Sequence, residues 1–515
     1  MATVVQRRRG TAAQHTTFTG AAGEITIKTD TKELVVHDGS TPGGWTGGGF
    51  LQAGTSAAAR TVQSKLRDVV NVKDFGATGD GATDDTAAIQ AAITAADKNV
   101  DTVTGNVIYF PRGRYMISAP IVLDTAHVDN LSSLTLVGEG LHNTVIEAKT
   151  GFSGAALVSA TNQVYCGLKD LHLLGSGRVA SGLKIDGGSH HTVERVFVQS
   201  CTGTGFDFID NFMLSLKGCR AKGNVTGFRW NGFHTSVYVE NCYALNNSGA
   251  GFDVRDMVYS TFNACASDTN QYGYYISNVA GVAFTGCGAE ECTRSAFNFY
   301  AAAARDSNDL VDGCRATLTR CFATNCDTST GGYGSIYSEQ IDTSVIDVLV
   351  QDFYEYAVTG SVSVATNGVT SNHNLCLERG RFINVRSGAG LTAHPASTVR
   401  VDALSVTAAN TVLLNLASIF GSTQQYSGLL HVVAGNSRYS TNAATNVAAY
   451  VLLVTKSTGG SGVTVIASNG LTAGGSANHP SFTFTLDTTN NELEVSPVAS
   501  TSGTFHFYIT KLGGL

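Results

Sequence analysis

Leu214-Ser-Leu-Lys-Gly-Cys219, Val237-Tyr-Val-Glu-Asn-Cys242, Phe262-Asn-Ala-Cys265 and Val282-Ala-Phe-Thr-Gly-Cys287 decide the fold. Their cysteines follow one another at 23, 23 and 22 residues. A second marker keeps the same step: Gly205-Phe206, Gly227-Phe228, Gly251-Phe252, Gly273-Tyr274 and Ala296-Phe297. A third lies five residues after the cysteines, at Asn224, Asn247, Asn270 and then Cys292. After an insertion at 301–315, Cys321 and Cys326 resume the pattern. Such a period signals a stacked array whose turns bury one another.

The physical reading is a right-handed parallel β-helix in which each coil lays its strands on those of the coil before, at the roughly 4.8 Å strand spacing. Period-2 alternation then puts Leu214, Leu216, Val237, Val239, Val282 and Phe284 inside, and Lys217, Glu240, Asn263 and Thr285 outside. The cysteines become an internal ladder, the asparagines a hydrogen-bonded turn ladder, and glycine is expected to supply corners with positive φ. Weaker coils at Leu131–Glu147, Leu168–Asp186, Val193–Ile209, Val345–Tyr356 and Leu375–Leu391 extend the helix over 70–393.

Composition excludes the alternatives. Among 515 residues there are 58 glycines and 6 prolines, 14% of residues are charged and 43% hydrophobic, which fits neither a coiled coil nor collagen nor a disordered chain. The longest apolar run, Val447–Val454, is far short of the roughly 20 residues of a membrane helix. No membrane insertion is expected, and no signal peptide is visible behind Arg7–Arg9. A net charge of −7 argues against nucleic acid as a partner. The eleven cysteines lack CxxC zinc spacing, so they read as reduced core residues; neither a metal nor a cofactor is expected.

The ends differ from the middle. Residues 1–52 form short hairpin-like units that bury too little surface alone and need a partner chain or neighbouring domain. Residues 53–69 suit a short helical neck. Beyond Pro395 the repeat gives way to β-prone stretches at Val399–Val406, Ala448–Thr455, Gly462–Ile466, Phe482–Asp487, Glu492–Ser496 and Thr504–Thr510. These read as an antiparallel β-sandwich over 394–515.

Val70-Asn-Val-Lys-Asp-Phe-Gly-Ala-Thr-Gly-Asp-Gly-Ala-Thr-Asp-Asp-Thr-Ala-Ala-Ile-Gln-Ala-Ala-Ile93 resembles the opening of the pectate-lyase-like superfamily, as do Val107–Tyr115 and Leu136–Ile146. Asp84 or Asp85 is placed to cap a helix over Thr86–Ala96 that closes the open end of the β-helix. Residues 7–45 look like the N-terminal attachment segment of bacteriophage tail fibre proteins. Together the resemblances imply an all-β phage tailspike: a homotrimer on the virion, joined to phage tail or baseplate proteins through residues 1–52. Its β-helix would bind, or cleave, a bacterial surface polysaccharide such as capsule or lipopolysaccharide.

The superfamily splits glycans by hydrolysis, which needs two carboxylates about 5–9.5 Å apart, or by β-elimination at a uronate. Asp268 lies three residues after Cys265 and Glu290 three after Cys287, so the repeat sets them in one column on adjacent coils, with Glu291 beside them. Glu240 projects near Lys217. Asp268, Glu290, Glu291 and Glu240 are therefore the candidate catalytic residues. Asp207, Arg229, Asp253 and Tyr275 form a further outward column suited to sugar hydroxyls, and Tyr238 and Trp230 offer rings for stacking, with Lys217 alongside. Asp306, Asp309 and Asp312 in the insertion are placed to wall a groove. Three readings stay open: a hydrolase, a lyase acting on a uronate-containing glycan, and a receptor-binding fibre without catalysis.

Overall fold

The computed structural model describes residues 7–46, 49–97, 106–123, 134–301, 313–327, 334–340, 345–355, 364–367, 373–381, 391–393, 398–406, 411–415, 426–435, 446–457, 460–472, 482–487, 492–497 and 503–514. The chain divides into two compact units, Met1–Asn71 and Val72–Leu515.

The larger unit begins as the right-handed parallel β-helix. One coil shows the plan. Strand Tyr238–Glu240 lies on what we term sheet A, and strand Tyr243–Leu245 on sheet B. The long strand Ala250–Asn263 then supplies sheet C and bends back into the next rung of sheet A. Each rung pairs in parallel register with the next: Lys217 with Glu240 and Glu240 with Asn263 on sheet A, Ala244 with Ser267 on sheet B, and Phe228 with Phe252 on sheet C.

The 22–23-residue period has three internal causes. Phe206, Phe228, Phe252, Tyr274 and Phe297, the second marker, stack with centroids 4.6, 4.9, 4.8 and 4.7 Å apart and rings within 8° of parallel. Cys219, Cys242, Cys265, Cys287 and Cys321 are buried free thiols. Each of the five faces main-chain carbonyls, as Cys265 Sγ faces Asn263 O at 3.5 Å. Asn247 Oδ1 accepts from Asn224 N at 3.0 Å, and Asn270 Oδ1 accepts from Asn247 N at 2.7 Å. The ladder begins at Cys201, whose amide donates to Asn224 Oδ1 at 2.9 Å.

The corners do adopt positive φ, but glycine is not their main occupant. Between sheets A and B the left-handed residue is Arg195, Gly218, Asn241, Ala264, Gly286 or Arg320; between B and C it is Ser200, Gly223, Asn246, Thr269, Glu291 or Asn325. Glycine in the aromatic marker serves close approach instead. A Cβ on Gly227 would stand 2.5 Å from Gly251 O, and one on Gly273 would stand 2.4 Å from Ala296 O.

Helix Thr86–Asp97 caps the first coils, burying Ile89, Ala92, Ile93 and Ala96. Asp84 takes the capping role, accepting from Thr86 N at 3.1 Å, while the Asp85 carboxylate holds Thr78 N at 2.7 Å and Gly79 N at 3.1 Å. Gln90 both donates to Val122 O and accepts from Val122 N at 3.0 Å, supplying the bonds a further strand would have made to that edge.

Beyond residue 397 two antiparallel sheets form the C-terminal β-sandwich. One joins Thr398–Val406, Gly503–Gly514, Tyr426–Gly435, Asn446–Ser457 and Gly460–Thr472; the other joins Thr411–Asn415, Glu492–Pro497 and Phe482–Asp487. Thr411–Asn415 and Tyr426–Gly435 were not among the stretches expected from sequence.

In the smaller unit, Arg9–Gly10, Ile25–Lys28, Leu34–Val36 and Trp45–Thr46 form a four-stranded sheet. Thr26 and Val35 are buried on one face with His15 from helix Ala12–His15, whose start is a capping box of Thr11 and Gln14. The other face leaves Leu34, Val36 and Trp45 exposed. In the 53–69 neck only Val62–Leu66 is helical, because Ala59–Thr61 pairs as a strand with Gly49–Leu51. The expected helical neck is thus shorter than its span.

Candidate functional site

Alternation turns every second residue of each rung outward, so the candidate residues spread over three sheets rather than one groove. Sheet B carries the carboxylates. Asp268 and Glu290 are register partners on adjacent rungs, as the repeat implies. Asp268 Oδ2 accepts from the Tyr243 hydroxyl at 3.0 Å and Oδ1 from the Thr269 hydroxyl at 2.7 Å. Glu290 is exposed, and Glu291 sits in the left-handed corner that follows it. Burial, the hydrogen bond to Asp268 and the nearby Asp268 charge raise the Tyr243 phenol above its ordinary range.

Two residues between the ladder and these carboxylates were missed at the sequence level. Arg220 and Tyr243 each follow a ladder cysteine directly, and register continues their column through Ala266 and Gly288 to Phe322 and Tyr354. The Arg220 guanidinium lies between the rings of Phe197 at 5.2 Å and Tyr243 at 5.5 Å. No carboxylate within ion-pair distance of it is found among the described residues, and its Nε is buried without a hydrogen-bond partner. Ala266 and Gly288 then form a floor of small residues; a Cβ added to Gly288 would meet only Phe322, at 3.8 Å. Tyr243 and Phe322 stand three rungs apart, ~14 Å at the usual strand spacing. The signal was present in the same arithmetic, one residue after the cysteine rather than three.

Sheet A holds Lys217, Tyr238 and Glu240. Lys217 Nζ lies 3.2 Å from Glu240 Oε2 and 5.6 Å from the Tyr238 ring centroid. The Tyr238 column runs on through Thr261 and Ala283 to Thr317 and Leu349. There a cavity of about 530 Å³ opens, lined by Gly281, Ala283, Arg315, Thr317, Asp347 and Leu349.

Sheet C aligns Asp207, Arg229, Asp253 and Tyr275 in one column, and the charges neutralise one another. Arg229 grips Asp207 with two bonds of 2.9 and 2.8 Å, and Arg255 grips Asp253 with bonds of 2.6 and 2.8 Å. Both aspartates are buried. The Arg255 guanidinium also covers the Tyr275 ring at 5.2 Å. Trp230 corrects an expectation: it is fully buried against Phe208, 5.6 Å away, and Phe262, 5.2 Å away, so it presents no ring outward. Its inward direction follows from the outward one of Arg229. Asp306, Asp309 and Asp312 lie outside the described residues.

Among the described residues no group of three His, Cys, Asp or Glu side chains gathers as a metal would require, and no helix is long and apolar enough to cross a membrane.

Residues 69–297 match the family model described as rhamnogalacturonase A/epimerase, pectate lyase-like, and residues 5–41 match the major tropism determinant N-terminal domain. Mannuronan C5-epimerase AlgE5 of Azotobacter vinelandii is 34% identical over 224 residues, covering 39% of this chain and 21% of that protein. The chain thus spans about a fifth of the length of that relative. The A-module of the A. vinelandii epimerase AlgE4 superposes with a TM-score of 0.48 at 18% identity, covering 63% of this chain and 99% of that one. The tailspike protein of Acinetobacter phage vB_ApiP_P1 superposes with a TM-score of 0.41 at 16% identity, covering 99% of both chains.

Proposed function

We propose that this chain is a phage tail protein that binds a bacterial surface polysaccharide on its β-helix and cleaves it with Asp268 and Glu290. One observation carries the reading: a single chain joins a segment matching a tropism-determinant N-terminal domain to a pectate-lyase-like β-helix with two outward carboxylates in one column. Rungs ~4.8 Å apart set those carboxylates near the ~5–5.5 Å separation of retaining glycosidases. Asp268, oriented by the hydroxyls of Tyr243 and Thr269, attacks the anomeric carbon, and the leaving oxygen takes a proton from exposed Glu290. Glu290 then withdraws a proton from the water that releases the sugar. Glu291, in the corner beside Glu290, remains a contributor to glycan contact on this reading, whereas Lys217, Tyr238 and Glu240 on sheet A and Arg229, Asp253 and Tyr275 on sheet C stand on other faces. Residues 1–52 join the chain to the tail, and the assembly is a homotrimer on the virion.

A second reading has its own observation. Arg220, a cation without a carboxylate partner among the described residues, would suit a uronate and so elimination. Incubation with capsule or lipopolysaccharide separates the cases. New reducing ends without ultraviolet absorbance from an unsaturated product mark hydrolysis; absorbance marks elimination; tight binding with neither leaves a pure binder. Asp268→Asn and Glu290→Gln should each abolish turnover while binding persists. Full activity in both would remove these residues from the reaction.

A further inference from the structure

Buried in the N-terminal unit is a chain of hydrogen bonds whose polarity is fully determined. His15 Nδ1 lies 2.9 Å from Thr11 O, His15 Nε2 lies 2.9 Å from Thr26 Oγ1, and Thr26 Oγ1 lies 2.9 Å from His37 Nε2. Gly20 N donates to His37 Nδ1 at 3.2 Å. A carbonyl only accepts, so His15 carries its hydrogen on Nδ1; an amide only donates, so His37 Nδ1 is bare and its hydrogen sits on Nε2. His37 therefore donates to Thr26, and the Thr26 hydroxyl donates to His15 Nε2.

The two rings differ in what a second proton does. On His37 it would oppose the Gly20 amide, donor against donor. On His15 it is accommodated: Thr26 Oγ1 accepts from both rings and turns its own hydrogen away. His15 and Thr26 both line a cavity of about 230 Å³, completed by Arg8, Arg9, Gly10, Gln14 and Phe18. The freed hydroxyl thus has that cavity as an outlet.

The charges around it point the same way. Arg8 pairs with Glu24 at 3.2 Å and covers Phe18 at 5.0 Å. The other acids of the unit are engaged elsewhere: Glu33 by Lys28 at 3.0 Å, Asp30 by Ala12 N at 2.9 Å, Asp38 by Thr41 N at 2.7 Å and Asp68 by Arg60 at 2.9 Å. Arg9 has no ion pair among the described residues. Arg8 just before the first strand and Arg9 within it, Glu24 from the loop before Ile25–Lys28 and His37 after Leu34–Val36 are the titratable groups around His15.

We propose that this cavity binds a carboxylate, an acidic side chain of the tail component to which residues 1–52 attach, and that the anion binds more tightly once His15 takes up a proton. The partner's identity rests on the attachment reading above; the carboxylate site does not. Linkage makes the effect reciprocal, so anion binding must draw in protons.

Glutarate, titrated calorimetrically into the full chain, is the probe, and glutaramide its neutral control. Above the range in which glutarate itself titrates, it should bind up to about tenfold more tightly at the acidic end of a pH series than at the alkaline end, the scale of one added charge-assisted hydrogen bond. Glutaramide should not bind. Arg9→Gln, on the surface, should weaken glutarate at both ends of the series, and His15→Gln should flatten the pH ratio. Should His15→Gln not fold, heats for the wild-type chain in two buffers of different ionisation enthalpy give the proton uptake directly. Failure of glutarate to bind, equal binding of glutaramide, an unchanged ratio in His15→Gln or zero proton uptake each overturns the proposal. Loss of tail incorporation on deleting residues 7–46, with no glutarate binding, sinks the cavity alone. Retained incorporation with pH-dependent glutarate binding sinks the attachment reading alone.

Discussion

Asn270→Ala tests whether the asparagine ladder governs both the coil and the candidate site. Asn270 is buried, and its Oδ1 accepts from Asn247 N at 2.7 Å and Asn247 Nδ2 at 2.9 Å. Its Nδ2 donates to Ala244 O at 3.1 Å and Ser267 Oγ at 2.8 Å. Alanine leaves the Asn247 amide with no acceptor and the Asn247 carboxamide with only a long 3.5 Å contact to Ala221 O. Each buried donor left unsatisfied costs ~1–3 kcal/mol, so two place the loss at ~2–5 kcal/mol, the residual contact lowering the upper end. Large fibrous proteins tend to unfold irreversibly, so amide hydrogen exchange at Asn247 is the better assay. It should accelerate by ~1.5–3.5 decades, at ~1.4 kcal/mol per decade. Asn270 lies two residues after Asp268, so glycan turnover should fall with it. Asn263→Ala, on an outward column, is the control and should stay within ~0.5 kcal/mol. Equal exchange in the two variants would refute the ladder as a source of stability.

Burial pushes His172, His191 and His234 down to about 4. They stay neutral in the fold while the unfolded chain protonates at ~6.5, so their contribution is complete above that pH and lost as pH falls toward 4, by roughly 3 kcal/mol per histidine at the limit. Melting temperature should therefore drop between pH ~7 and ~5, and a flat or rising profile would contradict the burial. Gly288→Trp should fold, because a Cβ there meets only Phe322, yet weaken polysaccharide binding at least ~10-fold by filling the floor of sheet B; unchanged affinity would move the glycan to another face. Burial raises the thiols of Cys201 and Cys314 to about 12. The ten buried cysteines among the described residues, shut away from solvent, should resist a thiol reagent in the native protein and react once guanidinium unfolds it; rapid native labelling of those residues would disprove the sealed ladder.

The interior was legible because it repeats. Phe228, Cys242 and Asn247 each touch a copy of themselves one coil away, so a physical contact appears in sequence as a period. The pairing of Asp268 with Glu290 followed from the same arithmetic. What did not repeat was not legible. Glycine's place beside the aromatic stack depends on a carbonyl of the next coil, which composition does not reveal. The strand Tyr426–Gly435 carries glycines that read as turn punctuation, and Ala59–Thr61 prefers its strand partner Gly49–Leu51 to the neck helix. The His15–Thr26–His37 chain joins residues eleven apart through side chains alone, with no period to announce it.

Which face meets the glycan is a question periodicity cannot answer, since sheets A, B and C all present outward columns at the same step. Charge pairing does discriminate. On sheet C, Arg229 and Arg255 are consumed by Asp207 and Asp253, and breaking such bidentate pairs to admit a sugar would strand a buried carboxylate at a cost of several kcal/mol. On sheet A, exposed Lys217 and half-buried Glu240 are partners whose exchange for a ligand costs little, but they stand three and two rungs from Ala283, where the cavity opens. Sheet B alone combines a stacked guanidinium without an acidic partner among the described residues, an aromatic ring already holding one carboxylate, and a small-residue floor beside both. A ligand there replaces water rather than protein partners, so its binding energy is not first spent on undoing the fold. For that reason Arg220→Ala should weaken glycan binding while leaving stability nearly intact, and Arg229→Ala should do the reverse; the opposite outcome would transfer the site to sheet C.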